Sequence, residues 1–283
     1  MAEKEALEET VMSASDQERF LDRLRRALGH APGRARKAPH LFAQQPSEEE
    51  SKLLKRYQAR TPAEQKALFD GLAEAARAIH LRVVPVPNFS AAGAAIADLA
   101  REKAPEWGGE KHIIAWRHPL IDALHLTALL DPAGIRLHRT EILNPGADPA
   151  LNQKHRERFR NSLGAAYIGI TSADFCLADT GTLVLRNRPG QARSVALVPS
   201  IHIAVIGLYQ ILSDMKELFS LLRWDDRFCT EGLTNYMAFI SGPSKTADIE
   251  ATMVHGAHGP REVHLFVVSP ASSSVHSPGP FGS

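Results

Sequence analysis

The sequence contains few cysteines, and this excludes two classes of protein. Cys176 and Cys229 are its only two, and 53 positions separate them. An iron–sulfur cluster takes about four thiolates, so this chain does not supply one alone, and two distant cysteines do not form a secreted disulfide framework. The first ten residues, MAEKEALEET, are acidic and polar, unlike a signal peptide. We therefore predict a cytoplasmic protein.

An excess of charge and a long apolar run are also missing. The formal net charge is +1 at pH 7, which gives no overall electrostatic attraction to nucleic acid or to an anionic membrane. The most apolar segment, residues 195–209, is interrupted by Pro199, Ser200 and His202, whereas a membrane span needs about 20 apolar residues. Neither a nucleic-acid partner nor a membrane span is predicted.

Three helix starts divide the first third of the chain. Each pairs a hydroxyl side chain with a glutamate three residues later, the spacing of a capping box: Ser15 and Glu18, Ser47 and Glu50, and Thr61 and Glu64. The first helix is expected to end near Leu28, at Gly29. Proline and basic residues then predict a linker. We expect a helix and linker arm over 1–46, a main domain over 47–268, and a disordered tail rich in Ser, Pro and Gly over 269–283.

The centre of the chain alternates short apolar runs with helical periodicity. Strands are predicted at 83–86, 112–116 and 135–138, and helices at 90–103, 120–130 and 151–163. Later strands are predicted at 236–240 and 263–268. Alternation of strands and helices with short connections predicts an α/β fold, with a mostly parallel sheet covered on both faces.

Four cations lie on the outward face of the helix predicted over 151–163. They are Lys154, Arg156, Arg158 and Arg160. A solvated helix face explains them most simply. The alternative is that they bind an anion.

The stretch from Ala165 to Arg186 carries the first polar cluster. A strand is predicted over Tyr167–Ile170, followed by a brief helical turn capped by Thr171 and Ser172, with Asp174 in its first turn. A second strand is predicted at 183–185. Between the two runs lie a carboxylate, two hydroxyls and a glycine: Asp179, Thr180, Gly181 and Thr182.

This cluster is a candidate floor for a binding pocket. Gly181 would let the backbone approach a ligand closely. Asp179 could act as a nucleophile or a general base. The alternative is a turn aspartate that bonds its own backbone.

A second polar cluster follows the strand predicted over 236–240. Its hydroxyls, backbone N–H groups and lysine could cradle a carboxylate or phosphate, and it is not a Walker A loop. Asp248 and Glu250 could orient the lysine or a substrate hydroxyl. The alternative is a helix start with Thr246 as its N-cap. The candidate binding residues are Ser241, Gly242, Ser244, Lys245, Thr246, Asp248 and Glu250.

Three histidines complete the candidate residues. His255 and His258 lie among Gly256, Gly259 and Pro260, which disfavour a helix, so no shared metal ion is predicted. They are expected to contact substrate or to fix a loop. His202 either contacts substrate or is a hydrogen-bonded core residue. Because ligands gather at the carboxyl ends of the strands in open α/β sheets, we expect all these clusters to converge there, around a small anion.

The same residues carry a resemblance to a known family. The segment ADTGTLVL resembles the signature of the LUD (lactate-utilization) domain family, in its protein C branch. The later segments VPSIHIAVIG, NYMAFISGPSKTADIE and VHGAHGPREVHLFVV match the family in the same order. The resemblance implies a fold like the NagB/RpiA/CoA-transferase group, three-layered α/β/α around a mostly parallel sheet. The family pattern usually places a glutamate where this chain has Asp179, which is one methylene shorter.

The resemblance also implies a role in oxidising L-lactate to pyruvate. In that system three proteins act together, and the other two carry cysteine-rich cluster-binding motifs. This chain has neither such a motif nor a Gly-x-Gly-x-x-Gly nicotinamide fingerprint, so no cofactor is predicted. The expected function is a non-redox subunit or accessory factor that binds a small carboxylate or supports iron–sulfur partner proteins.

Two other functions remain open at this point. One is an acyl- or CoA-transferring enzyme that uses Asp179. The other is a metabolite-binding regulatory module. The sequence does not decide whether the chain is an enzyme.

Overall fold

A computed structural model describes residues 14–29, 45–106, 108–142, 148–229, 234, 236–247, 253–256 and 258–269. The chain divides into two units, residues 1–45 and residues 46–283. The first contains helix α1 (Ala14–Ala27), and Gly29 follows it with a φ of 74°, the left-handed conformation expected of a helix stop. Residues 30–44 of the predicted linker, and the tail after Ser269, lie outside the described residues.

Eight helices of the second unit are described. They are α2 (Glu48–Gln58), α3 (Pro62–Ala78), α4 (Phe89–Glu102), α5 (Pro119–Asp122), α6 (Leu126–Leu130), α7 (Pro149–Ala165), α8 (Met215–Trp224) and α9 (Asp226–Cys229). Both capping boxes predicted in this unit are confirmed: the Ser47 and Thr61 side chains accept from the backbones of Glu50 and Glu64, and the glutamates bond back. The helices described are too short or too polar to cross a bilayer.

The strands of the described residues form three sheets. They are β1 (Leu81–Val86), β2 (His112–Ala115), β3 (Arg136–Arg139), β4 (Ile168–Ser172), β5 (Phe175–Leu177), β6 (Thr182–Arg186), β7 (Ile201–Gly207), β8 (Ile211–Leu212), β9 (Met237–Ile240), β10 (Lys245–Ala247), β11 (Met253–His255) and β12 (Glu262–Val268). The largest sheet has six strands in the order β1-β12-β7-β4-β2-β3, and every neighbouring pair in it is parallel. The predicted α/β fold with a parallel sheet is confirmed.

Apolar packing covers both faces of this sheet. On one face, α4, α5 and α6 pack against the strands through residues such as Ile96, Ile121 and Leu130, which have no exposed surface. On the other face, α3, α7 and a second sheet pack against the strands through residues such as Leu72 and Leu183. The main core therefore lies in two layers, one on each side of the six strands.

The second sheet was not predicted. It has four strands in the order β8-β5-β6-β9, with β6 antiparallel to both β5 and β9. Its far face packs on α2, α8 and α9 through a cluster that includes Phe175, Leu221 and Phe228. The predicted helical turn at Thr171 and Ser172 was wrong, because both residues continue β4 and are fully buried.

The helix predicted over 120–130 is broken. His125 adopts a φ of 50°, a left-handed conformation that ends α5 before α6 begins. Within the apolar segment 195–209, Val195 and Ala196 belong to a short 3-10 helix, Arg193–Ala196, and residues 201–207 form β7.

Candidate functional site

The first two polar clusters do meet in space. Thr182 Oγ1 lies 2.8 Å from Ser241 Oγ and 2.9 Å from Thr180 Oγ1. Thr180 Oγ1 in turn donates to Asp179 Oδ1 at 3.1 Å. A chain of hydroxyls therefore joins Ser241 to the Asp179 carboxylate, which is exposed.

Two glycines bring these turns against the end of α3. Gly181 and Gly242 have φ values of 65° and 79°. A Cβ on Gly242 would lie 2.3 Å from the carbonyl oxygen of Ile79, so only glycine fits there without a shift. Because Ile79 precedes the first residue of β1, this cluster lies at the amino edge of the six-stranded sheet, where its parallel strands begin.

The rest of the second cluster lies along the same edge. Ser244 N donates to Pro260 O at 2.8 Å, just before β12, and Gly256 N donates to Ser244 O at 3.0 Å. Lys245 and His258 are exposed. Lys245 begins strand β10, which pairs with β11, so the helix start considered for Thr246 was wrong.

Several candidate residues are only partly described. Thr246 and His255 contribute backbone to β10 and β11. Asp248 and Glu250 lie outside the described residues. A carboxylate partner for Lys245 stays a prediction.

The prediction that these clusters lie at the carboxyl edge of the parallel sheet was wrong. Asp179 and Ser241 follow β5 and β9, which belong to the mixed sheet, and the carboxyl ends of those two strands lie at the amino edge of the parallel sheet. The rule that ligands gather at carboxyl ends applies to the parallel strands. The clusters therefore converge on the opposite side, and their role in binding stays a prediction.

His202 lies inside the sheet. It is the second residue of β7, has no exposed surface, and its Nε2 lies 2.8 Å from Thr171 Oγ1. Burial lowers its pKa to about 3, and the neighbouring His264 contributes in the same direction. A neutral, hydrogen-bonded histidine of this kind matches the core alternative, since a ligand at the surface does not reach it.

The carboxyl edge carries a cavity of about 480 Å³. It lies where β3 ends, between α7 and the loop that follows β6. We call it the arginine cavity, because arginines provide most of its charge. Its charged and titratable lining residues are His138, Glu141, His155, Arg156, Arg158 and Arg188. Among the described lining residues, Glu141 is the only carboxylate, and it contacts His155 Nδ1.

A buried carboxylate positions Arg188. Asp174 Oδ1 accepts from Arg188 Nη2 at 2.6 Å and from Arg186 Nε at 3.0 Å. Asp174 Oδ2 accepts from the Arg186 backbone N–H at 2.7 Å. The Asp174 side chain is 3% exposed and the Arg186 side chain 0%, so this network is shielded from solvent. Asp174, predicted to open a helical turn, instead ties the end of β4 to the end of β6.

A neutral histidine lies beside this network. Burial lowers the pKa of His118 to about 4, although the nearby Asp174 opposes the shift. His118 Nδ1 accepts from the Leu120 backbone N–H at 3.2 Å, at the start of α5. The ring therefore adds no positive charge near neutral pH.

Fixed backbone contacts form one wall of the arginine cavity. Trp116 Nε1 donates to Ala192 O at 2.9 Å, and Thr140 Oγ1 donates to Gly190 O and accepts from Arg117 N. Thr140 and Glu141 also line a second cavity of about 560 Å³, which contains an ion pair between Arg139 and Asp122. The two cavities share one wall at the end of β3.

The sequence analysis located this site only in part. Arg156 and Arg158 belong to the four cations considered as a solvated face or an anion site, and both line the cavity. Glu141, His155 and Arg188 were missed. A usable signal was present for Glu141, which comes two residues after a strand of the parallel sheet. Among the described residues, no group of three or more His, Cys, Asp or Glu side chains could hold a metal ion.

Comparison with known proteins identifies the family. The model of the LUD domain matches residues 70–268. The chain belongs to the LUD domain family. The predicted resemblance is therefore confirmed over most of the chain.

Relatives of this LUD protein carry lactate-utilization names. It is 33% identical over 158 residues to Lactate utilization protein C of Halalkalibacterium halodurans, covering 56% of this chain and 63% of that protein. It is 30% identical over 172 residues to the protein C of Shouchella clausii, covering 60% of this chain and 68% of that one. Lactate utilization protein B of Geobacillus thermodenitrificans is 32% identical over 140 residues, 49% of this chain and 28% of the relative. The chain thus spans less than two thirds of the first of these relatives.

A solved structure shows a weaker likeness. It is a DUF162 family protein from Deinococcus radiodurans, 18% identical, with a TM-score of 0.44, and the match covers 72% of this chain and 98% of that one.

Proposed function

We propose that this LUD protein is a subunit or accessory factor of L-lactate oxidation to pyruvate, and that it binds a small carboxylate in the arginine cavity. The names of its relatives support the pathway. The assignment of a carboxylate ligand rests on one observation: Arg156, Arg158 and Arg188 line one cavity at the carboxyl edge of the parallel sheet. Ligands collect at this edge of α/β sheets.

The charge of the cavity suits an anion. Arg188 is held in place by Asp174, so it loses little side-chain freedom when a ligand binds. Arg156 is exposed and, within the described residues, forms no ion pair. The planar guanidinium matches a carboxylate through two parallel hydrogen bonds. The single lining carboxylate, Glu141, contacts His155, and Arg188 shares Asp174 with Arg186. Arg156 and Arg158 form no ion pair within the described residues, so these two cations face a ligand with little competition.

Electron transfer is assigned to partner proteins. The chain has two cysteines, and burial raises the pKa of the Cys176 thiol well above its usual range. It has no nicotinamide-binding fingerprint. We propose iron–sulfur proteins of the same system as its partners, as the family resemblance implies. The likeness of the fold to the NagB/RpiA/CoA-transferase group also stays a prediction, which rests on the family resemblance.

Calorimetry with L-lactate and pyruvate tests the ligand. Arg156→Ala should weaken the tighter-binding acid about tenfold or more, because a charge-assisted pair is lost. Arg160→Ala is the matched control, since Arg160 lies on the same helix, is exposed, and is not among the lining residues. Equal effects of the two variants, or no binding to the unaltered protein, would contradict the proposal.

Co-purification from lactate-grown cells tests the partners. The tagged chain should bring down cysteine-rich proteins together with iron. A preparation that contains this chain alone, without iron, would remove the partner assignment. It would leave the carboxylate site untouched.

A further inference from the structure

We infer that His155, oriented by Glu141, makes the arginine cavity selective for 2-hydroxy acids over 2-oxo acids. This inference rests on the proposed function, since it concerns the same cavity. It assigns the residue that distinguishes the reduced ligand from the oxidised one. The carboxylate of either ligand would bind the arginines equally well, so the arginines alone provide no such distinction.

The position of one hydrogen follows from the contacts of the His155 ring. Nδ1 touches Glu141 Oε2, and Arg158 Nη2 lies 3.5 Å from the same nitrogen. The carboxylate has no hydrogen to donate when ionised, and its contact is much the closer of the two. The hydrogen is therefore on Nδ1 and is shared with Glu141. A carboxylate bonded to one ring nitrogen commonly fixes a histidine tautomer in this way.

The other ring nitrogen is an acceptor whenever the ring is neutral. In the neutral ring, Nε2 has a lone pair and no hydrogen. A 2-hydroxy acid can donate its hydroxyl hydrogen to that lone pair while its carboxylate pairs with an arginine. A 2-oxo acid has only acceptor oxygens, so it leaves Nε2 unpaired and places two lone pairs against each other. Sites built around such a hydrogen bond reject the analogue that lacks it.

The surroundings of His155 allow this role. Its side chain is 26% exposed, so the ring is accessible from the cavity but constrained by its neighbours. His155 belongs to α7, whereas Glu141 comes from the end of β3, so two separate elements fix the ring. On a helix, residues three apart lie on one face, which places Arg158 beside His155 for the ligand's carboxylate.

Three ligands on two proteins test the inference by calorimetry. The ligands are L-lactate, pyruvate and propionate, which share a three-carbon carboxylate and differ only at the second carbon. The unaltered protein should bind L-lactate about tenfold or more tightly than either of the others. In His155→Asn, the amide can still donate to Glu141 but no atom replaces Nε2. Its affinities for the three acids should agree within about twofold, mainly through weaker binding of L-lactate.

Nitrogen NMR of the histidine rings gives a second readout, which is the ring nitrogen that carries the hydrogen. The spectrum of His155→Asn assigns the His155 signals by their loss. In the unaltered protein, Nδ1 should carry the hydrogen. In Glu141→Ala, the hydrogen should redistribute between the two nitrogens, and the preference for L-lactate should fall.

The outcomes separate the inference from the proposed function. Tight binding of L-lactate and pyruvate with equal affinity, weakened alike by Arg156→Ala, would overturn the inference and leave the proposed function standing. A hydrogen on Nε2 in the unaltered protein would also overturn it. If none of the three acids bound, both the proposed function and the inference would fall.

Discussion

The two edges of the six-stranded sheet treat their polar groups differently. At the amino edge, the hydroxyls of Thr180, Thr182 and Ser241 bond one another and Asp179. At the carboxyl edge, three arginines surround a cavity with one carboxylate. The first arrangement satisfies its own groups, whereas the second has charge left over for a ligand. In this chain, cations that line a cavity are therefore stronger evidence of a binding site than hydroxyls that bond one another.

Removing the buried carboxylate at the carboxyl edge should have the largest effect. Asp174→Ala takes away the acceptor of Arg186 and Arg188, and breaking a buried pair by removing one partner costs about 3–5 kcal/mol. Urea unfolding measures this loss. Asp122→Ala removes half of a more exposed pair, with Arg139, and should cost about 1 kcal/mol or less. If Asp174→Ala lowered the free energy of unfolding no more than Asp122→Ala does, the contacts of Asp174 with Arg186 and Arg188 would not stabilise the carboxyl edge.

The largest effect at the amino edge should come from a glycine. Gly242→Ala would place a Cβ 2.3 Å from a backbone oxygen of Ile79 at a positive φ, and should lower the free energy of unfolding by about 2 kcal/mol or more. Gly190→Ala at the carboxyl edge is the matched control. It also has a positive φ, but its Cβ would meet the Ile142 side chain at 3.0 Å, which can move. Its cost should be about 1 kcal/mol, from φ alone.

The pH dependence of stability should identify His118. Its pKa is about 4 in the folded chain, against the ordinary 6.5 when unfolded. Between these values the unfolded chain binds a proton that the folded chain does not, so stability falls as the pH drops from about 6.5 towards 4, by about 1.4 kcal/mol per pH unit.

A conservative variant isolates that contribution. His118→Asn keeps an N-cap acceptor for α5 and removes the titrating ring. Its slope of unfolding free energy between pH 5 and 6 should be smaller by about 1.4 kcal/mol per unit. Because His202 is also buried with a lowered pKa, the variant should keep part of the slope. An unchanged slope would mean that His118 charges freely in the folded chain.

The smallest effect is expected from Asp179→Asn. The carboxylate is exposed and accepts from Thr180, so the free energy of unfolding should change by less than about 0.5 kcal/mol. The affinity for L-lactate should stay within about twofold of that of the unaltered protein. Asp179 lies at the amino edge of the sheet, whereas the arginine cavity lies at the carboxyl edge. Growth on lactate and acyl-transfer activity of the purified variant complete the test. A lost acyl-transfer activity would favour the enzyme alternative and would move the functional site to the amino edge.

Local sequence signals predicted the elements better than their arrangement. The capping boxes at Ser47 and Thr61 act within one helical turn, so the sequence contains everything they need. The break at His125 depends on a positive φ, which is uncommon for a non-glycine residue and which no local pattern in the sequence predicts. The mixed sheet depends on pairing of β6 with β9, about fifty residues later. No local pattern encodes that pairing.

The site was harder to predict for the same reason. Asp179 and Ser241 do follow strands, but the direction of those strands relative to the parallel sheet is a property of the whole fold. Arg188 gains its place in the cavity from Asp174, 14 residues earlier, through a contact inside the protein. The sequence shows the charges of α7 but not which of them face a hollow.

The sharing of Asp174 between Arg186 and Arg188 limits how the cavity can be redesigned. An engineer who wished to admit a cationic ligand would begin by reversing the charge at position 188. That change would set a new anion against Asp174 in a shielded interior, and relieving it would require edits at 174 and 186 as well. The charge of the cavity therefore depends on buried contacts between the two sheets, and positions 174, 186 and 188 must be changed together.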